Sequence, residues 1–214
     1  MSVDRPMAVF RCYTAEEEAA SGLMHCLKER RYANADRLKP RNHVHKNAAI
    51  PFLTILKKFF DELLGVQGVE PEIQLREVDG RRQLFLMVPI VVNGESNELL
   101  PNPPLSFSVS NQGRRVSYNK QIDEYVRTNG ANEIDDHLRE MANKRNLVLY
   151  AGPNGYPSDI DITDKFFPAY CARVLAIVRA YLLIQPHAEQ QSYVQDSLDA
   201  FLGMLQLLKF DEDW

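Results

Sequence analysis

Cysteine is scarce in this chain, and what there is does not pair. Among 214 residues there are three, Cys12, Cys26 and Cys171. Their odd number and wide spacing exclude a disulfide framework and any Cys-x-x-Cys zinc or redox motif. The expectation is a reducing, cytoplasmic setting, with Cys171 a buried thiol inside an apolar run. The sequence also lacks a glycine-rich phosphate loop and a Gly-x-Ser-x-Gly nucleophile elbow. No nucleophile constellation stands out, so no catalytic residue, metal or cofactor is assigned.

Long hydrophobic runs are missing too. The most apolar segment, Phe166 to Ile184, is interrupted by Pro168, Arg173 and Arg179; it reads as a buried helix rather than a membrane span. The opening MSVDRPMAVFRCYT has too short an apolar core for a signal peptide. A strong excess of one charge is also lacking: 25 Lys and Arg stand against 29 Asp and Glu, a net of −4. Bulk charge therefore does not recruit a polyanion, and any nucleic-acid contact needs a local basic patch.

What is present suits a packed core, with 45% hydrophobic and 25% charged residues. The length fits one α+β domain over 1–214: helical over 14–66, β-hairpins over 70–118, helical over 119–209, and an acidic tail at 210–214. Thr14 and Glu17 have capping-box spacing and predict a helix from Ala15 to Tyr32. Phe52, Ile55, Leu56, Phe59, Phe60 and Leu63 predict a second over 48–64, stopped by Gly65 and Gly68.

The period then changes. Asp79-Gly80 between two β-prone runs predicts a hairpin, Asn93-Gly94 is a second turn, and another hairpin is expected around 111–113. A small antiparallel sheet of about four strands follows, with Pro89 at an edge or a bulge. Helical pattern returns at Ile122 and breaks at Asn129-Gly130. The run at 147–152, LVLYAG, reads as a strand or a helix end. Phe166 to Ile184 is apolar almost all round and is expected to be the central helix. The last helix, over 189–208, carries Val194, Leu198, Phe201, Leu205 and Leu208 in steps of four and three, a seam suited to another helix.

Four features bear on function. Asp159 and Asp161, one residue apart, would share a face of a strand and could grip one metal ion. Over four residues, Ser158-Asp159-Ile160-Asp161 resembles the segment around the metal carboxylates of polymerase-β-like nucleotidyltransferases. That resemblance implies metal-dependent nucleotidyl transfer, with a Gly-Ser pair upstream and a third carboxylate on a following strand. Here Gly152-Pro153-Asn154-Gly155 stands close upstream with Pro in place of that pair, and an apolar helix follows Thr163-Asp164. The plainer expectation makes these acids helix-capping groups and the partners of Arg173 and Arg179, in a buried ion pair of Arg173 and Arg179 with Asp159 and Asp161.

His43 and His45 would likewise share a strand face, but no further ligand pair is spaced to complete a metal site. Between residues 28 and 46, seven Lys or Arg meet two acids. Arg30, Arg31, Arg37, Lys39, Arg41, His43, His45 and Lys46, with Arg81, Arg82, Arg114 and Arg115 just past the hairpin turns, form a candidate groove for an RNA or DNA backbone. Tyr32 and the histidines would supply rings for stacking. Finally, the tail Asp211-Glu212-Asp213-Trp214 can dock on a basic partner.

The contrast of a basic cluster and an acidic end predicts a non-enzymatic interaction or assembly protein. It would be a homo-oligomer joined through Val194, Leu198, Phe201, Leu205, Leu208 and Trp214, away from any membrane, with possible nucleic-acid binding. The alternatives are a metal-dependent nucleotidyl- or phosphoryl-transfer enzyme using Asp159 and Asp161, and a monomeric regulator presenting the hairpins or the proline loop at 101–104.

Overall fold

The structure, a computed structural model, describes residues 4–65, 70–108, 110–111, 114–115, 118–149 and 163–208. The first helix, α1 (Arg5–Glu29), begins ahead of the expected start at Ala15. Asp4 caps it, accepting a hydrogen bond from the Met7 amide at 3.1 Å. Pro6 follows in the first turn, where its missing N–H costs nothing. Thr14 and Glu17 therefore sit in mid-helix, and Glu17 is buried at 2% exposure instead of capping an end.

A 3-10 turn at Ala35–Arg37 leads to α2 (His43–Gly65). Its true cap is Asn42, whose side-chain oxygen accepts from the amides of Val44 at 2.8 Å and His45 at 3.1 Å. His43 and His45 thus lie on the first turn of a helix, not on a strand. Residues two apart on a helix face nearly opposite ways, and the shared face disappears.

The sheet is a meander of β1 (Glu72–Val78), β2 (Arg81–Val92) and β3 (Glu95–Leu99), in the order β1-β2-β3. Both two-residue turns have positive φ at each central residue, 50° and 73° at Asp79 and Gly80, 54° and 83° at Asn93 and Gly94. That is the type I′ geometry which Asp-Gly and Asn-Gly favour. The tight second turn makes Val92–Glu95 the closing hydrogen-bonded pair, so alternation leaves Pro89–Glu98 a non-bonded pair. Pro89 then points its nitrogen towards the β1 side, where pairing has already stopped at Glu72–Met87. The ladder loses nothing to the proline. The expected fourth strand is instead a separate two-residue pair, β4 (Ser110–Asn111) with β5 (Arg114–Arg115).

Four helices follow among the described residues: α3 (Asn119–Asn129), α4 (Ala131–Leu149), α5 (Phe166–Ile184) and α6 (Ser192–Leu207). Gly130, at φ 76°, makes the break between α3 and α4. Leu147 to Leu149 are the end of α4, and 150–152 lie outside the described residues.

The last two helices exchange the places that the sequence predicts for them. Val194, Leu198, Phe201, Leu205 and Leu208 are between 1% and 6% exposed and pack in the core with Phe52, Ile55 and Phe59 of α2. The seam is intramolecular, because α6 also buries Leu202 and Met204 and so is apolar over more than one stripe. By contrast α5 buries Tyr170, Ile177, Leu183 and Ile184, and leaves Leu175 50% and Leu182 41% exposed. Cys171, expected to be buried, is exposed.

Gln191, fully buried ahead of α6, ties the corner together. Its side-chain oxygen accepts from the Leu105 amide at 2.7 Å, and its side-chain nitrogen donates to the Leu183 carbonyl at 2.9 Å. Its own amide donates to the Tyr32 hydroxyl at 3.0 Å. Replacing Gln191 with Ala strands the Leu105 N–H and the Leu183 carbonyl, at about 1–3 kcal/mol each. Urea unfolding followed by circular dichroism is expected to show a loss of several kcal/mol for Gln191→Ala. Leu207→Ala, on an exposed side chain, should stay within about 0.5 kcal/mol of the parent.

Candidate functional site

Part of the basic connection between α1 and α2 is engaged by the fold, more through its backbone than through its cations. Arg30 donates to the Gln185 carbonyl, and Gln190 donates to the Arg31 carbonyl. Gln195 of α6 makes a reciprocal pair with the Ala33 backbone, at 2.9 and 3.0 Å, and Asn34 donates to Asp199 at 3.1 Å. Tyr32 is 3% exposed and His45 fully buried, so neither ring is open to a base. Lys46, 5% exposed, points inward. Arg31 and Arg41 remain exposed, while Arg30, Arg37, Lys39 and His43 are half-buried. Arg81 and Arg82 are exposed at the start of β2; Arg114 and Arg115 form β5, on a different sheet. The two arginine pairs do not project from one sheet. Asp159, Asp161 and the tail ending in Trp214 lie outside the described residues.

Where Lys46 goes defines a buried polar cluster at the junction of α1, α2 and α5. Glu17 bridges Lys46 and His43, with the Lys46 ammonium 3.2 Å from one carboxylate oxygen and His43 Nδ1 2.8 Å from the other. The neighbouring Glu16 faces Arg173 of α5 at 3.7 Å. That guanidinium also lies over the Tyr170 ring, 4.9 Å from its centroid. Arg173 thus pairs with an acid of α1; Asp159 and Asp161, the partners expected for it, lie outside the described residues. Arg179 is exposed and has no hydrogen-bond or ion-pair partner among the described residues.

Burial pushes the Glu16 carboxyl above its ordinary 4.5, and Glu17 adds to the rise, while Arg173 opposes it. Burial, Cys171 and Glu16 push the Cys12 thiol upward, the opposite of what a nucleophilic thiolate needs. Among the described residues no group of three His, Cys, Asp or Glu is placed to hold a metal ion. The cluster thus offers no nucleophile and no metal cage; its chemistry is that of a structural charge network.

Two features that sequence reasoning missed are larger. The first is the exposed side of α5. Pro168, Cys171, Leu175, Val178 and Leu182 follow one another in steps of three and four, which puts them on one stripe without a charge. The second is an apolar groove. An inner chamber of about 380 Å³ lies among α1, α2, α5 and α6. An outer cleft of about 960 Å³ between α2, α5 and the sheet, lined by Ile73 and Leu86 among others, shares Leu53, Ala176, Arg179 and Tyr193 with it. The signal for both was in the sequence as Ala169, Ala172, Ala176 and Ala180, small side chains that fill little space along α5.

Two outcomes test the cluster. Glu17→Gln leaves the Lys46 ammonium buried without its carboxylate, and should cost about 3–5 kcal/mol in urea unfolding. For Glu16 the native state holds a proton that the unfolded chain releases from pH 4.5 upward. Its contribution is complete below 4.5 and is lost as pH rises through the higher folded value. A pH series of unfolding free energies should show that downward slope in the parent, and Glu16→Gln should remove it. This chain matches no protein-family model, no curated protein and no solved structure, and its chemistry is read from its own residues.

Proposed function

We propose that the protein is a non-enzymatic interaction protein that self-associates through the exposed stripe of α5. The observation that carries this reading is the exposure of Leu175 at 50% and Leu182 at 41% on a helix that is apolar nearly throughout. Burying large aliphatic side chains is worth about 1.5–3 kcal/mol each, and a contiguous exposed apolar patch marks an interaction surface. By length and composition α5 could also cross a membrane. Its other faces oppose that: Arg173 is engaged with Glu16, and Arg179 presents a charge beside the groove. An unpartnered guanidinium is costly in hydrocarbon.

A second copy of the chain suits the stripe well. Side chains spaced at three and four residues mesh with the same stripe on a symmetry-related helix, and an isologous contact closes at two. The five residues of the stripe carry no charge, and Arg179 borders it, four residues after Leu175 and three before Leu182. In this reading assembly depends on apolar contact, so it is insensitive to salt.

Light scattering on the eluting protein at low and high salt is the test. The parent is expected to run as a multiple of the chain mass in both, and Leu175→Glu/Leu182→Glu as a single chain with unchanged circular dichroism. A parent that is a single chain at micromolar concentration overturns the proposal.

A further inference from the structure

The groove lies on a different side of α5 from Leu175 and Leu182, neither of which lines it. Of the side chains around its inner chamber, those of Arg179, Tyr193 and Ser197 carry nitrogen or oxygen; the rest are aliphatic, aromatic or thioether. A volume of about 380 Å³ falls in the range of small-molecule sites. A polar ligand would lose most of its hydration there, with only Arg179, Tyr193 and Ser197 to offset the cost. An alkyl chain loses nothing.

The rim has the opposite character. Arg179 lines both the chamber and the outer cleft. Two other cations of the cleft are already engaged, Lys57 by Asp61 and Arg173 by Glu16. The Arg179 guanidinium has no such partner among the described residues. It stands at the boundary of an apolar chamber, where a carboxylate can take two parallel hydrogen bonds from it.

We propose that this groove binds a single-chain amphiphile with an anionic head, its alkyl chain in the chamber and its carboxylate on Arg179. The chamber supplies affinity that grows with chain length, and the arginine sets the preference for an acid over the matching alcohol. The outer cleft leaves the head group in reach of solvent, so no buried charge is left unpaired when the site is empty. This site does not depend on self-association through α5.

The full chain is titrated, below micelle-forming concentrations, with hexadecanoate, octanoate and hexadecanol against a dansyl-labelled fatty acid as fluorescent probe. Hexadecanoate is expected to displace the probe at one per chain and more tightly than octanoate. Arg179→Gln should weaken hexadecanoate by about tenfold or more, the value of one charge-assisted contact, and leave hexadecanol unchanged. Ala176 is exposed and lines both chamber and cleft, so Ala176→Trp should block acid and alcohol alike with the far-ultraviolet spectrum intact. Leu175→Ser/Leu182→Ser, which breaks the aliphatic stripe without placing a carboxylate beside Arg179 on the helix, should bind as the parent does, which separates this site from the assembly surface. The proposal is overturned if the parent takes up no probe, if octanoate and hexadecanoate compete equally, or if Arg179→Gln weakens acid and alcohol to the same degree.

Discussion

The helical body depends on satisfying the buried backbone at one corner, and a single glutamine does most of it. Three segments far apart in the chain meet at Gln191: the Tyr32 connection, the proline loop at Leu105 and the end of α5 at Leu183. A buried amide or carbonyl without a partner costs about as much as a lost hydrogen bond, so these segments can close on each other only where such a bridge exists. The Tyr193 amide returns the bond by donating to the Leu105 carbonyl at 3.2 Å. With that corner fixed, α6 leaves it at a set angle and enters the core between α2 and the connection. The hydrogen bonds from Gln190 and Gln195 to the Arg31 and Ala33 backbone follow from the same placement.

This corner also explains why α5 and α6 could not be told apart in advance. Periodicity says which side chains are apolar; it does not say which apolar surface finds a neighbour. The hydrophobic residues of α6 are large, Phe201, Leu202, Met204 and Leu205 among them, and fill the space beside α2. Those of α5 alternate with alanines, so the helix packs closely on α1 through Tyr13, Tyr170 and Phe166 and contributes less volume elsewhere. A helix that is apolar all round normally lies at the centre. Here the position goes to the helix that fills volume, and the more apolar one is left at the surface. Features set by local stereochemistry were legible: both type I′ turns, the break at Gly130, and the tolerance of Pro89 in β2. They need no knowledge of what lies across the core.

The charged sites misled for a related reason. Glu16 and Glu17 look like first-turn acids beside Thr14, and Lys46 looks like one more cation in a basic run. Once α1 starts at Arg5, Glu16 stands seven residues after Val9 and four before Ala20, on the buried side. An acid there demands a partner, and the cations nearest in space, Arg173 for Glu16 and Lys46 for Glu17, answer that demand. The local excess of positive charge is thereby reduced inside the molecule, where counting along the sequence cannot see it. A helix start three turns earlier than the capping-box spacing predicts is enough to turn two first-turn acids into members of a buried charge network.

What remains is a helix with three different sides. One side of α5 packs on α1 and carries Arg173 to Glu16; the next lines the groove with Ala176 and Arg179; the last shows Leu175 and Leu182 to solvent. These demands constrain one another through the small residues. Larger side chains at Ala176 and Ala180 would fill the groove and make α5 the ordinary buried helix its composition predicts. Keeping them small holds open a chamber that a well-packed interior would close, and it leaves the aliphatic stripe to be covered from outside. Arg179 sets the limit on both, since its charge keeps that edge of the helix in contact with water or with an anion.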